Sequence, residues 1–162
     1  MKYNTIQGAI IDADEGDIIK LPSKEYTIIE SIIITKGITI QGSSKFGTKI
    51  MTSGSEEVFV LDAAATLDGI FINKTDKSSQ HLVSITANNA KIINSKFIGQ
   101  YNQCDAQVER AIATNAGITG YEITDNRFEN LRQPGYLEGA GIVKNNFVKN
   151  RSEERRVGKE CR

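Results

Sequence analysis

Leucine is scarce in this chain of 162 residues: six, against 23 isoleucines. That imbalance favours strands over helices, because β-branched side chains suit a pleated surface. Excess charge is absent too. Twenty Lys and Arg balance twenty Asp and Glu, so there is no basic footprint of the kind nucleic acid or an anionic membrane attracts. No apolar run approaches the roughly 18 residues of a spanning helix. The start, MKYNTIQG, lacks the apolar stretch of a signal peptide. Neither nucleic acid nor membrane is therefore an expected partner.

Cysteine is nearly missing as well, with Cys104 and Cys161 alone. The second belongs to RSEERRVGKECR (151–162), which shares no pattern with what precedes it. This segment resembles, residue for residue, one reading frame of a short-read sequencing adapter, and we set it aside as an artefactual tail. What is left carries 15 Lys and Arg against 17 Asp and Glu, and one cysteine, so no internal disulfide is expected. The natural chain is expected to run on past Asn150.

What is present is periodic. Ile6, Ala9, Ile10 and Ala13 make one apolar helical stripe, with Asn4 or Thr5 as N-cap and Gly16 as a left-handed C-cap. After Gly16 the period falls to two. DIIKL (17–21), YTII (26–29), SIIITKGITIQG (31–42), VFVLD (58–62), LDGIFI (67–72) and LVSIT (82–86) read as strands joined by tight turns. VERAIAT (108–114) also reads better as strand than helix.

One phrase then recurs: IINSKF (92–97), ITDNRF (123–128) and IVKNNF (142–147), with LDGIFI as an earlier, looser copy. Leading positions step by 25, 31 and 19 residues, and Ile38 is placed at the head of a still earlier turn. Val58 and Val60 precede Leu67 as Val83 and Ile85 precede Ile92. Strands in fixed phase at such a period mark a solenoid. Each coil of about 25 residues would hold three strands and three turns, stacked ~4.8 Å apart. The sixth position would then form a buried column, Ile72, Phe97, Phe128 and Phe147. The fourth, Ile70, Ser95, Asn126 and Asn145, would occupy the sharp corner, where Asn tolerates left-handed backbone and stacked amides can bond. The helix would cover the open end of the first coil.

NTIQGAIIDADEGDIIKLPSKEYTI followed by KGITIQGSS resembles the start of right-handed parallel β-helix proteins of the pectate-lyase-like superfamily. In that family a capping helix precedes a G-D-x-I-x-L-P strand and a G-x-Y-T segment. Gly16-Asp17, Ile19, Leu21-Pro22 and Tyr26-Thr27 fit, while Lys24-Glu25 occupies the usual glycine position. The expected fold is all-β: a capping α-helix over 1–16, then parallel β-helix coils over 17–150, truncated at the C-terminal end.

The resemblance implies an extracellular or cell-surface protein that binds an acidic polysaccharide. Lyases of the family cleave such chains by β-elimination, with Ca²⁺ or a cation neutralising the uronate carboxylate and a Lys or Arg as base. This sequence offers no Asp pair in phase and no dense acidic cluster for Ca²⁺. No catalytic residue, cofactor or metal ligand is therefore assigned, and Ca²⁺ is left to a longer chain. The alternative reading is a non-enzymatic surface, adhesion or phage-fibre solenoid. Lys96 and Arg127 are expected on a solvated face. His81 sits in what reads as a polar turn, and Asn73-Lys74-Thr75 is a glycosylation sequon. The candidate ligand contacts lie on two polar insertions: Tyr101, Asp105, Glu109 and Arg110 in 99–110, and Arg132 and Tyr136 in 130–139.

Overall fold

A strand of three to six residues with one apolar face cannot bury itself, so each coil here needs a neighbour above and below. The computed structural model describes residues 5–54, 56–75, 81–100 and 110–149. A short helix, α1 (Ile6–Asp12), leads into β1 (Ile18–Leu21), β2 (Glu25–Ile28) and β3 (Ile32–Ile34). The pattern repeats as β4 (Thr39–Gly42), β5 (Thr48–Thr52) and β6 (Phe59–Leu61), then β7 (Thr66–Asp68), β8 (Ile70–Lys74) and β9 (His81–Ile85). The fourth coil holds β10 (Lys91–Ile93), β11 (Lys96–Ile98) and β12 (Arg110–Thr114). The fifth holds β13 (Thr119–Thr124), β14 (Arg127–Glu129) and β15 (Gln133–Tyr136), and β16 (Ala140–Lys144) and β17 (Phe147–Lys149) follow.

Each strand pairs in parallel with the one three places along the chain, which yields sheets of six, six and five strands. This is a parallel β-solenoid, as the period requires. The first sheet begins with β1, the second with β2 and the third with β3. Inside, like stacks on like. Ile40, Leu67, Ile92 and Ile123 are successive register partners in the first sheet, and all are buried. Ile50, Ile72, Phe97 and Phe128 do the same in the second. The Phe97 and Phe128 rings lie 5.2 Å apart at 12°. Burial stabilises each by roughly 1.5–3 kcal/mol, and ring stacking adds about 1 kcal/mol.

Several phase assignments shift by one or two residues. Ile40, not Ile38, stands under Leu67. Phe59 and Leu61, not Val58 and Val60, stand under Val83 and Ile85. In the last copy Val143 stacks on Ile123 and Val148 on Phe128, while Phe147 stacks on Arg127. The buried column therefore ends at Phe128; Val148 stacks on it but is 40% exposed, and Phe147 is 52% exposed. β5 and its preceding corner, 43–47, escaped the period-two pattern, since only Ile50 and Met51 in TKIMT are strongly apolar.

The corner between the first and second sheets explains the correction. With the last copy realigned to begin at Val143, the left-handed residue is the third of the phrase: Gly69 at φ 65°, Asn94 at 51°, Asp125 at 59° and Asn145 at 57°. The fourth residue has a different task. Ser95 Oγ accepts from Ile70 N (3.1 Å), Asn126 Oδ1 from Ser95 N (2.8 Å) and Asn146 Oδ1 from Asn126 N (2.9 Å). Each Asn also donates through Nδ2 to a carbonyl one coil down, Ile92 O or Ile123 O, both at 2.8 Å. The relay runs from side chain to backbone, not amide to amide. It makes Asn146, not Asn145, the partner of Asn126.

The helix caps the first coil as its stripe implies, with Ile6, Ile10 and Ala13 buried and Thr5 Oγ1 accepting from Gly8 N at 3.0 Å. It ends earlier than expected. Ala13 is already extended, and Gly16, at φ 86°, serves the turn into β1 instead. Lys36 removes the need for a glycine cap: its Nζ donates to the carbonyls of Ile10 (3.3 Å), Ile11 (2.7 Å) and Ala13 (2.6 Å). Gln7 covers the strand edge. Its Oε1 accepts from Ile33 N at 3.1 Å and its Nε2 donates to Ile33 O at 3.3 Å, the pair of bonds a neighbouring strand would supply.

The two Asn roles separate by mutation. Asn126→Ala leaves the buried Ser95 N–H without its acceptor and removes the amide donor to Ile92 O, and should cost about 2 kcal/mol in urea unfolding. Asn145→Gly keeps the left-handed corner and should change stability by less than about 1 kcal/mol.

Candidate functional site

Regular alternation fails in the middle of the third sheet. β9 and β12 carry consecutive buried residues, Leu82 with Val83 and Ala111 with Ile112 with Ala113, so polar groups gather at the ends of these strands. His81, Arg110 and Gln133 are register partners on three successive coils. Glu57 stands at the same edge one coil earlier, because Val58 N bonds to Leu82 O at 2.9 Å.

Arg110 is fixed from two sides. Its Nε donates to Gln133 Oε1 at 2.8 Å, and its guanidinium lies 4.6 Å from the centre of the Tyr136 ring. Tyr136 is 46% exposed. The planar fork is thus held against an aromatic face, a geometry lysine would not reproduce. On the other side of His81, Ser84 Oγ donates to Glu57 Oε1 at 3.2 Å, and Ser31 Oγ to Glu57 O at 2.6 Å.

His81 itself begins β9 and is no part of a turn. Its Nδ1 is buried and has no hydrogen-bond partner among the described residues. Burial lowers the imidazole pKa, the positive charges of Arg110 and Lys74 lower it further, and Glu57 opposes them only in part. The ring is therefore neutral at pH 7. Lys74, at the end of β8, is fully buried. The result is a polar row, Glu57–His81–Arg110–Gln133, that offers an oriented guanidinium and an aromatic face.

Of the six expected contacts, Arg110 and Tyr136 are brought together across adjacent coils. Tyr136 is in strand β15, not an insertion, because Gln133–Tyr136 pairs with β12. Arg132, half-buried ahead of that strand, makes no side-chain bond to either among the described residues. Tyr101, Asp105 and Glu109, like Cys104, lie outside the described residues. Glu57, His81 and Ser84 were missed, although a polar residue just before or at the start of successive strands in one column, at 57, 81, 110 and 133, was a usable signal.

Lys96 and Arg127 turn out not to be free surface charges. Both pair with Glu129, Lys96 at 3.3 Å, and Lys96 is only 14% exposed. Burial alone would raise the Glu129 pKa, but hydrogen bonds from Arg127 and Lys96 override it and hold the carboxyl below its ordinary value. The cations also sit over rings, Lys96 over Phe71 at 5.0 Å and Arg127 over Phe147 at 4.8 Å. Asn73 of the sequon lies inside β8, its Oδ1 buried and its Nδ2 on Met51 Sδ at 3.7 Å. That is a packed strand position, not the surface loop such an acceptor needs.

Comparison with family models, with curated proteins and with solved structures finds no match to this chain. The chemistry of the third-sheet row therefore stands on its geometry.

The single histidine makes its titration readable. Folding holds its pKa below the free value of 6.5, so the unfolded chain takes the proton first and stability falls as pH drops through that value. From about pH 7 to about pH 5, wild type should lose more thermal stability than His81→Gln. Parallel melting curves for the two would remove His81 from the buried polar row.

Proposed function

We propose that the third-sheet face binds an acidic polysaccharide, and that the chain belongs to an extracellular or cell-surface β-helix protein. The carrying observation is the Arg110 guanidinium seated on Tyr136 beside neutral His81. A uronate carboxylate accepts two parallel N–H bonds from such a fork, and the exposed part of the Tyr136 ring offers a sugar its apolar face. Arg110 Nη groups have no partner among the described residues. Successive coils present these groups at the ~4.8 Å strand spacing, so a polymer lying across the coils meets them in series.

Binding of alginate, pectate and chondroitin sulfate oligosaccharides, measured by calorimetry, tests this reading. At least one should bind, Arg110→Ala should weaken it about tenfold or more, and Tyr136→Ala should weaken it several-fold. Lys91→Ala should change nothing, because Lys91 pairs with Glu122 on the first sheet. An Arg110→Ala protein that binds as wild type does would end the proposal. Unsaturated product would assign β-elimination to the chain; binding without product would favour the adhesive solenoid.

A further inference from the structure

One corner of the solenoid is built differently from those stacked on it. The third to sixth coils pass from the first sheet to the second in one or two residues, whereas the second coil spends five, 43–47, between β4 and β5. This longer segment is held at its base. Ser43 N donates to Thr48 Oγ1 at 2.9 Å, Thr48 Oγ1 donates to Leu21 O at 3.0 Å, and Gly47 N donates to Ser44 Oγ at 3.0 Å. It also leans along the stack. Lys45 Nζ reaches Asp125 O, three coils on, at 3.3 Å, and the Phe46 ring centre lies 5.6 Å from the Lys96 ammonium. An ordered segment projecting from a rigid frame makes a wall.

Beside that wall lies a groove of about 540 Å³, within the size range of small-molecule sites, about 300–1,000 Å³. Its lining comes from four successive coils, from Lys20, Leu21 and Pro22 in the first to Asn94 in the fourth. Three strand spacings make that about 14 Å along the axis. Gly42 and Gly69 leave bare backbone between. A Cβ on Gly42 would stand 2.2 Å from Gly69 O, and Gly69 is left-handed, so neither position takes a side chain.

The polar groups of the lining are mixed in kind and open to solvent. Lys20, Gln41 and Asp68 are register partners, so a cation, an amide and a carboxylate stand in line on the first sheet. Gln41 Nε2 donates to one Asp68 oxygen at 3.1 Å. The Lys20 ammonium and the Asn94 side chain make no bond among the described residues. Ser44 Oγ accepts from Phe46 N and Gly47 N, which leaves its O–H to donate. One cation balances one anion, and donors alternate with acceptors. Sugar hydroxyls, each able to donate and accept, match such a lining better than a ligand of one charge does.

We infer that the groove beside the 43–47 segment is a binding site for a neutral oligosaccharide lying along the solenoid axis. Its hydroxyls donate to Asp68 and accept from Lys20, Asn94 and Ser44. The site is on a different face from the third-sheet row and does not rest on the acidic-polysaccharide reading.

Cellotriose and maltotriose, titrated separately into the full chain and followed by amide NMR, test the site. At least one should give saturable shifts at Gly42, Ser44 and Gly69. Lys20→Ala and Asp68→Ala should each weaken that binding about fivefold, and Arg110→Ala should leave it unchanged. Absence of saturable shifts with both sugars overturns the inference. So does wild-type affinity in both groove variants. Loss of the shifts in Arg110→Ala would overturn it too, by placing the sugar on the third sheet.

Discussion

The register of this solenoid depends on a vertical hydrogen bond in which the side chains of Ser95, Asn126 and Asn146 each accept from the backbone one coil down. The backbone turns sharply at that corner, and the N–H at the turn points along the stack with no strand partner of its own. Ser95, Asn126 and Asn146 fill that vacancy in turn. Because each such side chain is fixed to one backbone atom, the relay sets register as well as stability. A one-residue slip would move every inward side chain to the outside. The stacked Ile and Phe columns contribute more energy, but they would tolerate several alignments; the amide relay tolerates one.

The solenoid was legible in the sequence because its period is carried by backbone-determined features that recur in every coil. Register was harder to read. Aligning IVKNNF on its final Phe was natural, yet Phe147 stacks outside on Arg127 and Val148 takes the inner place. An aromatic side chain can serve a cation on the surface as well as a core, and identity alone does not say which. Two neighbouring asparagines, Asn145 and Asn146, compounded the ambiguity: one adopts the left-handed corner and the other makes the relay. Similarly, Val58 and Val60 mimic a strand phase that belongs to Phe59 and Leu61.

The candidate site was only half legible, for a different reason. Arg110 and Tyr136 could be chosen singly as an arginine and an aromatic suited to an acidic sugar. Their contact depends on Gln133–Tyr136 pairing with β12, and QPGY carries no strand signal: it holds a proline and a glycine and lacks alternation. Tertiary pairing overrides local preference there. His81 looked like part of a turn because polar residues precede it. Only the stacking of Glu57, His81, Arg110 and Gln133 turns four scattered polar residues into a row. The fold supplies a rigid frame, and the breaks in its alternation are where polar groups collect.

Inter-residue contacts in the last coils measure the central claim most directly. Nuclear Overhauser effects should connect the Phe128 ring to the Val148 methyls and the Phe97 ring to the Phe128 ring. Phe147 should show contacts to the Arg127 side chain instead. Strong contacts between the Phe128 and Phe147 rings, with none from Phe128 to Val148, would contradict the relay as the determinant of register.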